Sequence, residues 1–176
     1  MAVVSSLSEA FYNSLIYFLK NDTELDDYFS TRVYLENPEL NLSNLVLPFL
    51  TIKDYLNTED IFAAPQVSGF ENKLITFHFS IGVYCSTYAQ QRYLPEFTRV
   101  RINQATVSGT SGIQIYSGWT AGSPDVGSEL YVADIETGDI TPLGGEEISD
   151  ITRKFRSFID VTSSVMKDFT KVFITT

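Results

Sequence analysis

Within Leu74 to Cys85 the chain alternates from Ile75 to Val83 between apolar and small or polar residues. Successive side chains of a strand point to opposite faces, so Ile75, Phe77, Phe79, Ile81, Val83 and Cys85 share one face, and Thr76, His78, Ser80 and Gly82 share the other. A helix would scatter those apolar positions around its circumference. The segment is therefore an antiparallel strand, half-buried at the centre of its domain, and its apolar face demands a covering layer.

The first helix supplies that cover. Ser6-Leu7-Ser8-Glu9 has the spacing of a capping box, and Leu7, Phe11, Leu15, Phe18 and Leu19 follow at helical intervals as one apolar stripe. Asn21-Asp22 closes the helix, and Asp22 is placed to cap a short second turn ending near Tyr28-Phe29. With Lys20 as its only cation and acidic residues following, the stripe reads as a core face and not as a membrane anchor.

Further strands are predicted at Arg32 to Leu35 and at Phe49 to Lys53, separated by a loop from Glu36 to Leu47 that turns at Asn37-Pro38. Asn57 to Lys73 has no periodicity and reads as a long loop. A helix is expected from about Ala89 to Ala105, with Pro95 starting its main body or kinking it, and with Phe97, Val100 and Ala105 on its inner face. Beyond Ser108, short β-like runs at Ile113 to Tyr116 and Leu130 to Ile135 precede an expected hairpin turn at Glu136-Thr137-Gly138-Asp139. Lys154 to Val165 alternates again, with Phe155, Ser157, Ile159, Val161, Ser163 and Val165 on one side, as a final strand. The expectation is an α+β fold: a mainly antiparallel β-sheet backed by the N-terminal helix and a second helix, with a β-hairpin insertion. It forms a single domain over 1–176, with an acidic β-rich insertion at about 108–150 and a C-terminal tail at 167–176 that carries Phe169, Val172, Phe173 and Ile174.

Composition narrows the function. The chain has 176 residues, 44% of them hydrophobic, with a formal net charge of -10. So acidic a protein has no general attraction for nucleic acid or anionic lipid. Aromatics make up 14% of the residues, including 13 Phe and 10 Tyr, which favours strands and broad contact surfaces. The single cysteine, Cys85, excludes an internal disulfide and suits a reducing cytoplasm. Met1 to Ser6 lacks the pattern of a signal peptide. No apolar run approaches the roughly 20 residues that span a bilayer, and the expectation is a soluble protein.

The residues offer little for catalysis. His78, the lone histidine, sits on the polar face of its strand with no acidic neighbour in sequence, as a solvated or interface side chain. Cys85 falls on the opposite face, so the two cannot couple; a buried structural thiol is the simpler role. One Cys and one His cannot make a zinc ligand set. Asp54, Glu59 and Asp60 stand close together but lack the ligand pattern and turn glycine of a calcium loop, and read as a solvated loop edge. Gly109, Gly112, Gly118 and Gly122 open no phosphate-binding helix, and there is no Gly-x-Ser-x-Gly elbow. No catalytic, cofactor or metal residue is assigned.

Charge is distributed unevenly. No Lys or Arg occurs between Arg101 and Arg153, an interval holding Asp125, Glu129, Asp134, Glu136, Asp139, Glu146, Glu147 and Asp150. Arg92, Arg99 and Arg101 lie on one side of it, and Arg153, Lys154 and Arg156 on the other. Either an acidic arm pairs with a neighbour's basic patch, or these are solvated faces that add little.

The helix ending Leu19-Lys20-Asn21-Asp22-Thr23-Glu24-Leu25, then Arg32-Val33-Tyr34, then Leu47-Pro48-Phe49-Leu50-Thr51-Ile52, resembles the tail terminator or tail completion proteins of long-tailed phages. The alternating strand, the helix after it and the final strand continue that order. The resemblance implies a virion protein without enzymatic activity or cofactor, assembled in the host cytoplasm. It further implies a homo-hexameric ring that caps the tail tube, ends its growth and provides the surface for joining the head. Its implied partners are further copies of itself, the tail tube protein, a neck or head-completion protein and, in a contractile tail, a sheath protein. Membrane and specific nucleic-acid binding are not implied. Two other classes stand beside this one: another head–tail connector, and a metal-dependent enzyme built on Asp54, Asp60 and the insertion acids.

Overall fold

The computed structural model describes residues 2–3, 7–36, 40–61, 73–143 and 155–167. Residues 4–6, 37–39, 62–72, 144–154 and 168–176 lie outside the described residues, and with them Ser6 of the expected capping box, the expected Asn37-Pro38 turn and the expected apolar tail from Asp168 onward.

The central strand is β4 (Lys73–Tyr84). It is flanked by β3 (Phe49–Ile61) and β11 (Arg156–Lys167), antiparallel to both. Outward on one side, β2 (Val33–Leu35) runs parallel to β3. On the other side, β10 (Glu129–Leu143) pairs with β11 and then with β7 (Ile113–Tyr116). The result is a curled six-stranded sheet in the order β2-β3-β4-β11-β10-β7. Small strands complete the chain: β1 (Ala2–Val3) with β8 (Gly118–Thr120) and β9 (Ser123–Pro124), and β5 (Thr106–Val107) with β6 (Thr110–Ser111).

Helices α1 (Leu7–Asn21), α2 (Thr23–Phe29) and α3 (Tyr88–Asn103) back this sheet. Phe11 of α1 stacks on Phe77 at 4.2 Å and meets Phe79 edge-on at 5.6 Å. The whole apolar face expected of β4 is buried, as is the Ile159, Val161 and Val165 face of β11. Asp22 caps α2 by accepting hydrogen bonds from the amides of Glu24 and Leu25. Buried Ser14 gives its proton to the Ala10 carbonyl at 2.7 Å and accepts the Tyr116 amide at 3.0 Å, fastening α1 to β7.

Several elements differ from the sequence reading. Strand β3 continues through Asp54, where the register shifts, as far as Ile61. Asp54, Glu59 and Asp60 therefore belong to a strand and not to a loop; the polar residues there hide the period of two. Met166 and Lys167, expected in the tail, end β11. Glu136 to Asp139 is not a turn: β10 passes through it, and a shift of register between Thr137 and Ile140 absorbs the turn-like residues. The acidic region thus contributes β7 and β10 to the main sheet, with Ile113, Ile115, Ala133 and Ile135 in the core.

Of the inner face expected for α3, Ala105, just past the helix end, is buried and Phe97 packs against the core in part, but Val100 does not. Leu94, Pro95, Thr98 and Ile102 are buried, while Val100 is exposed and Phe97 only half-buried. Thr98 is tolerated inside because its hydroxyl donates to the Leu94 carbonyl at 2.8 Å. The helix starts well before Pro95, with Thr87 capping it through the Gln90 amide.

Candidate interaction surfaces

The side chains singled out as catalytic candidates are kept apart by the fold. His78 is half-buried on the sheet face away from the helices, between Thr162 and Leu56 in the ladder, and its ring makes no hydrogen bond or ion pair among the described residues. Cys85 is fully buried, and burial pushes its thiol up to about 12. Asp54 is exposed; together with burial, which is the larger cause, its carboxylate pushes the Tyr12 phenol upward. The side chains of Glu59 and Asp60 lie outside the description. Among the described residues no three His, Cys, Asp or Glu side chains converge as a metal site, and no helix is long and apolar enough to cross a membrane.

The expected basic patch is partly used within the chain. Arg101 forks onto Asp22 at 2.7 Å and Glu24 at 2.9 Å, tying α3 to the capped start of α2. Arg99 pairs with Glu96 at 2.6 Å. Arg92 is exposed and makes no ion pair among the described residues. Arg153 and Lys154 lie outside the description.

What the fold does present is contact surface. One patch is the outer side of α3, where Tyr93 stacks on Phe97 at 5.5 Å and Tyr28 of α2 meets both rings edge-on, its hydroxyl 3.3 Å from that of Tyr93. That hydrogen bond, foremost, raises the pKa of Tyr93. With Val100, also exposed, this makes an aromatic ridge beside Arg92 and Glu96. The ridge was not legible from the sequence because Phe97 and Val100 suited a core face equally well.

A second surface is a cleft of about 540 Å³ on the sheet face opposite the helices, at the Tyr84 end. Its floor is aromatic: Tyr84 stacks on Phe49 at 4.5 Å and meets Phe158 edge-on at 6.3 Å. Gly82 permits that floor, since a Cβ there would lie 2.5 Å from Thr51 Oγ1 and 2.9 Å from Tyr84 Cε2. Leu42 and Leu143 form apolar walls, and Glu36, Lys53, Arg156 and Asp160 bring charge. The Glu36 and Lys53 side chains pair at 3.9 Å. The Arg156 guanidinium lies 5.8 Å from the Phe158 centroid, and its buried Nε has no hydrogen-bond partner. Ser80 and Gly82, expected on a polar face, are buried beneath this cluster.

Fold and surfaces together define an α+β domain with helices against one face of a mainly antiparallel sheet, an exposed aromatic cluster on α2 and α3, and an aromatic-floored cleft on the opposite sheet face. No family model and no curated protein matches the sequence. A chain from a solved structure described as "Virion of native gene transfer agent (GTA) particle" is similar over 94% of this chain and 99% of that one, at 12% identity and a TM-score of 0.48.

Proposed function

We propose that this protein is a structural part of a phage-like virion that caps the tail tube as a ring, ends tube growth and offers the surface to which the neck or head joins. It acts by shape and adhesion, without catalysis. The observation that carries the reading is the aromatic ridge of α2 and α3. Tyr is suited to lasting protein contacts because it offers broad apolar area with a polar tip and little rotamer freedom to lose. Tyr28, Tyr93 and Phe97 form one contiguous exposed cluster rather than scattered single residues, and such clusters mark interaction surfaces. The resemblance of the sequence motifs from Leu19 to Ile52 to those of tail terminators supports the finer assignment.

The test is genetic. With the gene deleted, infected cells should contain tails of uncontrolled length or tails detached from heads, as seen by electron microscopy. The double variant Tyr93→Ala, Phe97→Ala should fold with an unchanged circular-dichroism spectrum yet fail to restore finished tails. Tails of normal length that lack only heads would instead favour a neck or head-closure role. Normal, head-joined tails from the deletion would refute both.

A further inference from the structure

The turn between β9 and β10 carries Val126, an apolar side chain wholly exposed at 105% of its reference area. Gly127, with φ of +79°, shapes that turn, and Asp125 accepts the Ser128 amide at 3.2 Å to close it. Glu129, also exposed, begins β10 just beyond it. The turn is thus a hydrogen-bonded knob: an apolar tip beside a carboxylate. At the other end of the same strand, Leu143 lines the aromatic-floored cleft that holds Arg156. The cleft offers Tyr84, Phe158, Leu42 and Leu143 to a valine; of its four charged side chains Lys53 pairs with Glu36, while Arg156, with Asp160 in the same lining, makes no ion pair among the described residues and can take a carboxylate. Knob and cleft cannot meet within one molecule. β10 is held extended by pairing with β11 and β7, and about 15 residues of strand at roughly 3.3 Å each keep its ends tens of ångströms apart.

We infer that copies of this chain join head to tail, the Val126 turn of one copy seated in the outer-face cleft of the next, with Glu129 facing Arg156. This deepens the ring reading above and rests on it, because a contact between unlike surfaces repeats from copy to copy and closes into a ring when its rotation allows. One knob in one cleft falls well short of the roughly 1,000 Å² of a lasting pair. The contact therefore gains strength from repetition, and the free protein in dilute solution is a monomer.

Disulfide trapping tests it. Val126→Cys protein is mixed with Leu143→Cys protein, both concentrated in solution and assembled on tails, under mild oxidation; the native Cys85 is buried and does not compete. The mixture should give a covalent dimer, and Val126→Cys protein alone should give almost none. Arg156→Glu in the Leu143→Cys protein should cut the yield several-fold, and Glu129→Arg in the other protein should restore it. Equal linking by Val126→Cys alone would mean a two-fold contact and overturn the proposal. Absence of mixed product both in solution and on tails would overturn it as well, and these two cysteine sites are exposed, so folding is not at stake. The variant carrying both cysteines separates this inference from the ring: a ladder ending at one fixed copy number supports both, whereas an open-ended ladder keeps the knob-in-cleft contact and refutes the ring.

Discussion

Replacing Gly82 by alanine sets two effects of opposite sign against each other. Glycine within a strand weakens it, and alanine would ordinarily recover about 0.5–1 kcal/mol through the unfolded chain and local propensity. Here the added methyl would lie 2.5 Å from Thr51 Oγ1, 2.9 Å from Tyr84 Cε2 and 3.2 Å from Phe158 Cε1. These neighbours have little room to retreat. Thr51 is fully buried in β3, and Tyr84 is pinned against Phe49. Overpacking of this kind costs about 1–3 kcal/mol, so the net expectation is a loss of about 1–2 kcal/mol. Urea unfolding should show a lower midpoint at unchanged slope, and for a chain of this size each kcal/mol moves the melting temperature by about 2–4 °C. Thr51→Ala removes the nearest obstructing atom. In the double variant the two effects should therefore fail to add by at least about 0.5 kcal/mol, in the favourable direction. A Gly82→Ala protein more stable than the parent, or a strictly additive double variant, would refute the steric account.

Phe79→Ala, which empties a place between α1 and β4, should cost about 3–5 kcal/mol in the same assay. Asp22→Ala removes both the α2 cap and the partner of Arg101; a loss of about 1–2 kcal/mol is expected, visibly larger than for an exposed acid such as Asp27. The Cys85 thiol keeps its proton in the folded state up to about 12, above its ordinary value of 9.0. Its contribution to stability is complete below pH 9 and is lost as pH rises from 9 toward 12. Urea midpoints should fall between pH 8 and pH 11, and fall less in Cys85→Ala; equal falls would assign the alkaline loss to other groups, Tyr12 first. His78→Ala should leave folding and assembly intact, whereas failed assembly with a normal melting curve would place His78 in an interface.

The helices and central strands are legible because their signals are local. A helix repeats every three to four residues and a strand every two, so the stripe from Leu7 to Leu19 and the alternation from Ile75 to Val83 announce both element and buried face. The Asp22 cap is likewise a matter of adjacent residues, since its carboxylate reaches amides only two and three positions ahead. Tertiary structure decided what depends on distant partners. Strand β3 runs on through polar residues because β4 offers it a ladder as far as Lys73, and β10 crosses Glu136 to Asp139 because β11 and α3 hold it there, Thr137 donating to Asn103 at 2.9 Å. Which side of α3 faces water was undecidable from Phe97 and Val100 alone; Leu94, Thr98 and Ile102 won the inner face by packing against the sheet. The cleft follows from the same cause. Phe49, Gly82, Tyr84 and Phe158 are scattered in the chain and become one surface only when β3, β4 and β11 come into register, since sequence records short-range periodicity directly and long-range pairing only through the folded whole.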